Sequence, residues 1–222
     1  MTSTIQKLNV DFAQRVQIDT PAQPWLPSPL NGVERKPLAR EGAESGHATS
    51  IVRYAPGASF SEHTHPLGEE ILVLEGTFSD EQGDYPAGSY IRNPPGSKHA
   101  PFSDTGCTLF VKLNQFSSSD SQAVRINTHS AKWLAGQGGL HVMPLHSFGT
   151  EHTALVKWPK GETFVPHRHY GGEEILVLSG VFKDEYGHYP QGTWLRSPHL
   201  STHHPFVDDN TIILVKTGHL PE

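Results

Sequence analysis

Fifteen histidines in 222 residues nearly equal the 17 lysines and arginines combined. Their placement matters more than their number. His63 and His65 stand two apart, Glu69 follows closely, and His99 comes after the turn sequence Pro94-Pro95-Gly96-Ser97-Lys98. On a strand, residues i and i+2 share a face, so the two imidazoles project together. Three neutral nitrogen donors and one carboxylate oxygen suit a divalent first-row metal. The same set returns at His167, His169, Glu173 and His203. A lone strand histidine is ordinarily a satisfied surface or core residue. Here all four donors survive in register while many neighbours change, which favours metal ligation over that blander explanation.

The register comes from a duplication. His63 to Phe102 aligns without a gap on His167 to Phe206, displaced by 104 residues, with 23 identities in 40 positions. Upstream, Thr49–Gly57 parallels Thr153–Gly161, and Trp25-Leu26 has a weaker counterpart in Trp133-Leu134. So long a period makes each copy a domain rather than a solenoid repeat. The Ser-rich stretch Asn114–Gln122 reads as the boundary. The expected organisation is an N-terminal arm over 1–20, a first domain over 21–118 and a second over 119–222. Residues 1–20 have no evident counterpart, which suits an arm on a partner or a loose terminus.

The elements that must position these donors read as strands. Short apolar or alternating runs recur at Thr49–Tyr54, Ile71–Leu74, Tyr90–Arg92 and Thr108–Leu113, and again at Thr153–Trp158, Ile175–Leu178, Thr193–Arg196 and Thr211–Val215. Gly, Pro or Asp clusters bound each run, and 21 Gly with 18 Pro supply many turns. No run in the repeats sustains helical periodicity. The class is all-β, as sandwiches or small barrels. Pro66-Leu67-Gly68 is expected to close a hairpin that returns Glu69 to the histidines.

With these residues in place, a resemblance can be stated. Gly57-x5-His63-x-His65-x3-Glu69-x6-Gly76 resembles the first cupin motif in full, and Gly88-x5-Pro94-x-Gly96-x2-His99 the second. Copy two carries Gly161, His167, His169, Glu173 and Gly180, then Gly192, Pro198 and His203. The Glu-Glu-Ile-Leu-Val-Leu run, the Asp-Glu pair and the Tyr-Pro-x-Gly turn are similar to the ChrR-type cupin, the metal-binding barrel of an anti-sigma factor. The resemblance implies two tandem double-stranded β-helix barrels, jelly-roll-like, forming a bicupin. It implies one divalent metal per domain, zinc first, with iron, manganese or nickel as alternatives. It also implies a regulatory, stress-sensing or small-molecule-binding module. The alternative is a non-haem dioxygenase acting on a small chelating substrate. A purely structural storage bicupin is disfavoured, because such proteins commonly lack intact ligand sets. The family's sigma-binding module carries paired cysteines. This sequence has one cysteine, Cys107, so inhibition by that route is not expected.

Copy two departs at Leu200, where copy one has Gly96, and Leu200 should strain the turn that carries His203. His204 could compete with His203 as donor but should face the opposite way. Glu70 and Glu174 follow the ligand glutamates and should point away from the metal, with Arg92 and Arg196 as ion-pair partners or as clamps for an anion. Tyr85, Tyr189, Phe102 and Phe206 read as packing, and Cys107 as a buried inert thiol. No catalytic residue emerges; His141, His146 and His188 could move protons, but their spacing singles none out.

A net charge of −6 leaves no basic footprint for nucleic acid. No apolar run is long enough to span a membrane, and the first residues lack an apolar signal region, so a cytoplasmic location is expected. The partners this suits are a regulatory protein or a small-molecule ligand, with homodimerisation through the arm as an open alternative.

Overall fold

Alternating apolar residues cornered by Gly and Pro leave the chain no helical face to bury, and it folds wholly into strands and turns. The computed structural model describes residues 7–42 and 45–221, with no helix among them, so none is long and apolar enough to cross a membrane. The expected all-β class with two barrels holds, and every expected strand lies within an observed one.

The chain forms two compact units. In the first, one antiparallel sheet runs in the order Val124–Asn127, Ser89–Asn93, Glu69–Asp80, Cys107–Leu113, Ala48–Tyr54, Val33–Arg40, Leu26–Pro27. In the second the order is Val16–Asp19, Thr193–Ser197, Glu173–Ser179, Thr211–Thr217, Glu151–Trp158, His141–Phe148, Leu134–Ala135. The two orders match strand for strand. Inward residues of each unit make its own core, with Ile71, Val73, Phe78, Ile91 and Leu109 in the first and Ile175, Val177, Phe182, Leu195 and Ile213 in the second. Cys107 is buried in the first core, and burial pushes its thiol up, as an inert thiol requires.

The units do not divide where the sequence places the boundary. Described residues 7–10 and 23–130 form the first unit; 11–22 and 131–221 form the second. Position 118 lies inside the first, because Val124–Asn127 completes its sheet beside Ser89–Asn93. Residues 7–20 do not form a separate arm either. Val16–Asp19 pairs with Thr193–Arg196 and extends the second sheet, while residues 1–6 of the expected arm lie outside the described residues. These two edge strands are counterparts after all. Val16-Gln-Ile-Asp-Thr matches Val124-Arg-Ile-Asn-Thr, and Val16 sits opposite Arg196 as Val124 sits opposite Arg92. The match is short and out of step with the main repeat, so it is easily overlooked.

The expected hairpin between the histidine pair and the glutamate strand does not form. His63–His65 pairs instead with Ser97–His99, and His167–Arg168 with Thr202–His203, in small two-stranded sheets. The Pro66–Gly68 turn carries the chain from that small sheet into the large one. Further on, Gly76 and Gly180 make the corner where the glutamate-bearing strand bends. Their φ values are 69° and 77°. A Cβ on Gly76 would lie 2.0 Å from the Gly106 carbonyl oxygen, and one on Gly180 would lie 2.5 Å from that of Asn210. Only glycine fits such a corner.

Leu200 keeps the conformation of its glycine counterpart, with φ of 63° against 79° for Gly96. Its amide donates to the His169 carbonyl at 2.8 Å, as Gly96 donates to His65 at 2.8 Å. The turn is therefore preserved and the strain is borne locally, at a cost of about 1–3 kcal/mol. The side chain is 45% exposed and recovers little of it by burial. Leu200→Gly should raise the stability of the metal-free protein by about 1 kcal/mol once the added freedom of the unfolded chain is allowed for. Guanidinium unfolding tests this; a lowered midpoint would mean that the leucine's contacts outweigh its backbone strain.

Candidate metal centres

The short sheets set the donors. In the first unit His63 lies directly opposite His99, and in the second His167 lies opposite His203. His65 and His169 share the inward face of their segments, and Glu69 and Glu173 open the neighbouring large-sheet strands. All four sequence-predicted donors of the second copy come together in one cluster, and in the first the three histidines do, with Glu69 beside two of them. In the second unit the donor atoms of His167, His169, Glu173 and His203 lie within 4.8 Å of one another. In the first unit His63, His65 and His99 do the same. There Glu69 Oε2 is 3.4 Å from both His65 Nε2 and His99 Nε2 but farther from His63.

Two nitrogens bound about 2.1 Å from one ion must stand roughly 3.0–3.4 Å apart. His65 Nε2 and His99 Nε2 are 3.0 Å apart. Glu173 Oε2 stands 3.6 Å from His169 Nε2 and 3.7 Å from His203 Nε2. His169 Nε2 is buried without a hydrogen-bond partner, a costly state for a polar atom unless something else meets its lone pair. The donor sets fit a transition-metal cation.

Protonation follows from the supports. Carbonyl and carboxylate oxygens only accept, so the ring nitrogens that face them carry the proton. His63 Nδ1 donates to the Ser61 carbonyl at 3.0 Å, and His167 Nδ1 to that of Val165 at 2.9 Å. His99 Nδ1 meets Asp80 at 3.2 Å, and His203 Nδ1 meets Asp184 at 3.3 Å. Each ring therefore turns a bare Nε2 inward when neutral. Burial lowers His65, against the pull of Glu69, and burial also lowers His167. His169 is pushed down to about 3 by burial and its histidine neighbours. For His99 and His203 burial is the largest single influence and works downward, but the aspartate bonds and the nearby glutamates together outweigh it and the net shift is up. Glu173 is pushed up to about 7 by burial, so in the absence of a cation it holds its charge poorly.

A second ring of residues orients the first, and the sequence alone did not reveal it. Tyr85 and Tyr189 are more than packing. Their hydroxyls donate to Asp80 and Asp184 at 3.2 and 2.6 Å. Arg125 donates to Tyr85 at 3.2 Å and to Asn93 Oδ1 at 2.6 Å, and Asn93 Nδ2 in turn donates to Glu69 at 2.9 Å. In the second unit Arg15 donates to both Asp184 and Tyr189. Both arginines sit on or beside the added edge strands. The recurrence of Asp-Glu and Tyr-Pro in the two copies was a visible signal for the aspartates and tyrosines. The arginines are out of register and gave none.

The remaining candidates sort plainly. His204 is exposed, so His203 is the inward donor. His199 accepts the Gly171 amide at 2.9 Å. Glu70 and Glu174 lie on the strand face opposite the ligand glutamates, and Arg92 pairs with Asp120 at 2.8 Å, which leaves it structural. Phe102 and Phe206 are half-buried, and the rings nearest the donors are instead Phe60, Phe78, Phe164 and Phe182. His141, His146 and His188 belong to neither donor cluster. A cavity of about 780 Å³ in the first unit is lined by His63, His65 and Glu69, with Val52, Ile71, Leu109 and Val111 among its apolar walls.

Comparison with known proteins follows this geometry. The family model described as the ChrR cupin-like domain matches residues 13–117 and again 121–221. Among curated proteins, none matches the sequence. A candidate dioxygenase from Nostoc punctiforme superposes with a TM-score of 0.79 at 15% identity, over 95% of this chain and 85% of that one. The pirin YhhW of Escherichia coli, solved with nickel(II), gives 0.69 at 13% identity, over 94% and 99%. The oxalate decarboxylase of Lactobacillus farciminis, solved with formate, gives 0.66 at 15% identity, over 93% and 86%. At these identities the likeness establishes the fold.

Two expectations follow from the geometry. Asp80→Asn should weaken metal binding at the first centre by about 10- to 100-fold while sparing the second; competition against a chromophoric chelator measures this, and equal affinities would deny Asp80 its orienting role. At the second centre, a cation arriving below pH 7 must displace the Glu173 proton, whereas above it the carboxylate is already ionised. Affinity there should fall as pH drops below about 7, with about one proton or more released per ion bound. Calorimetry in buffers of different ionisation heat counts those protons, and a count near zero at pH 6 would contradict the assignment.

Proposed function

The chain belongs to the ChrR cupin-like family, both halves included, and from that premise we propose a metal-dependent, small-molecule-binding bicupin. Each unit holds one divalent ion, on His63, His65, Glu69 and His99 in the first and on His167, His169, Glu173 and His203 in the second. Imidazole with carboxylate suits zinc first, with iron, manganese or nickel as alternatives. The observation that carries the proposal is the 780 Å³ cavity that reaches the first set of donors. A purely structural ion would have no use for such a space, which falls in the range of small-molecule sites.

When bound, the ion supplies Lewis-acid polarisation of a ligand oxygen and a template for orienting it. The chain's own residues do the rest. Val52, Ile71, Leu109 and Val111 line the space and exclude water. Asp80 and the Ser61 carbonyl hold the imidazole tautomers, and Asn93 holds Glu69. Tyr54 also lines the space, and its phenol is raised well above its ordinary value by burial and by Glu69. It remains a neutral donor there. In the family setting, such a pocket would report a stress signal or metabolite to a regulatory protein partner.

The second reading is a non-haem dioxygenase. The same open cavity supports it, as does the fold shared with a candidate dioxygenase. Turnover separates the two. Protein made with metals supplied should carry about one ion per four-donor set. His65→Ala should remove the first ion, and His169→Ala the second, each leaving the other in place. Oxygen uptake by the iron-loaded chain with β-diketones, thiols or phenolics would select the enzyme. Tightly held zinc without oxygen uptake would select the sensor, and elemental assay finding no metal would overturn both.

A further inference from the structure

One wall of the first unit's cavity carries two hydroxyl groups that the duplicated strand lacks. Alternation along Ala48–Tyr54 puts Ser50, Val52 and Tyr54 on one face, and all three line the space. Ser50 and Tyr54 are only 5% and 6% exposed. Neither side chain makes a hydrogen bond to a described residue, and neither oxygen is walled off, so both open on the cavity. The arginines and carboxylates around the space are engaged. Arg35 and Arg40 have partners within the chain, Glu41 takes the His47 amide at 2.9 Å, and Asn93 holds Glu69 at 2.9 Å.

The duplication supplies an internal control. Thr153–Trp158 aligns with Thr49–Tyr54, so Ala154 and Trp158 stand for Ser50 and Tyr54. The surroundings correspond. Tyr54 packs on Phe60 and Phe78 with ring centroids 5.4 and 5.9 Å away, and Trp158 on Phe164 and Phe182 at 6.2 and 5.4 Å. Phe60 in turn lies 5.6 Å from His63 and Phe78 6.1 Å from His99, so Tyr54 stands one ring away from the first donor set. The second unit builds the same sheet order with neither hydroxyl, and there Trp158 Nε1 is sealed in without a partner. Packing alone therefore does not call for a hydroxyl at position 54, and a buried one costs free energy unless something meets it.

We propose that the Tyr54 hydroxyl selects the ligand of the first centre: a small, uncharged, largely apolar dione or hydroxyketone that is directed to the donor set and accepts a hydrogen bond from Tyr54. The walls at Val52, Ile71, Leu109 and Val111 favour a hydrocarbon body. With both arginines engaged, a multiply charged acid finds no open partner in them. A site built to donate to a ligand oxygen discriminates against ligands that lack it, because the donor is then left unpaired. The inference rests on the proposal that the first centre holds an ion and binds a small molecule, and it adds the ligand's class and the residue that chooses it.

The test uses the full chain carrying His169→Ala, loaded with one equivalent of cobalt(II), whose visible absorption reports ligands arriving at the first centre. Benzoylacetone serves as the uncharged dione, 2-oxoglutarate as the charged chelator, and 4-phenylimidazole as an apolar metal ligand of similar size with no oxygen acceptor. Benzoylacetone should bind more tightly than 2-oxoglutarate. Tyr54→Phe removes the hydroxyl and keeps the ring; it should weaken benzoylacetone by about 3- to 10-fold, the loss expected for one hydrogen bond. Binding of 4-phenylimidazole should stay unchanged, which also shows that the variant's site is intact. With cobalt bound, three results would sink this inference alone: tighter binding of 2-oxoglutarate, no binding of benzoylacetone, or Tyr54→Phe affecting both apolar probes equally or neither. Failure to take up cobalt at all would sink the metal-centre reading beneath it and this inference with it.

Discussion

A buried carboxylate set against three inward-facing imidazole lone pairs is a poor arrangement unless a cation stands among them. Burial drives Glu173 toward its neutral form and His169 far from its charged one. Burial is the first cause of both shifts, and each disfavours the charged form, which leaves bare imidazole lone pairs beside a carboxylate whose charge is held weakly. The remaining features of the site hold that arrangement. Aspartates and carbonyls fix the ring tautomers, tyrosines and arginines hold the aspartates, and the sheets hold all of them in register.

Duplication makes these roles separable. Both units retain the donors, the aspartate, its tyrosine and an arginine delivered near an added edge strand. They differ in the walls. Where the first has Arg35 and Tyr54, the second has Val142 and Trp158 at matching register, and the Asn93 that holds Glu69 is matched by Ser197. Keeping the donors and the aspartate–tyrosine support while changing the walls is what a pair of centres with different tasks would require. Even the strained Leu200 fits this view, since its turn keeps His203 in place despite the cost.

The sequence made the donors legible because ligand chemistry needs fixed residue types, and the repeat supplied their register. Strand positions were legible from alternation between turn residues. What escaped were pairings between segments distant in sequence. Nothing local says that Val16–Asp19 joins the second sheet, or that His63–His65 pairs with Ser97–His99 rather than with the strand after the turn. Arg15 and Arg125 were invisible for the same reason, as their partners are set by those pairings.

The central claim is that each unit encloses a cation on three imidazoles and one carboxylate. Anomalous diffraction from crystals of the metal-loaded chain, collected at the metal's absorption edge, tests it most directly. The account predicts one peak inside each quartet, within about 2.0–2.2 Å of the three Nε2 atoms and the glutamate oxygen. Crystals of metal-supplemented protein with no peak at either quartet, or with peaks only at surface histidines, would contradict it.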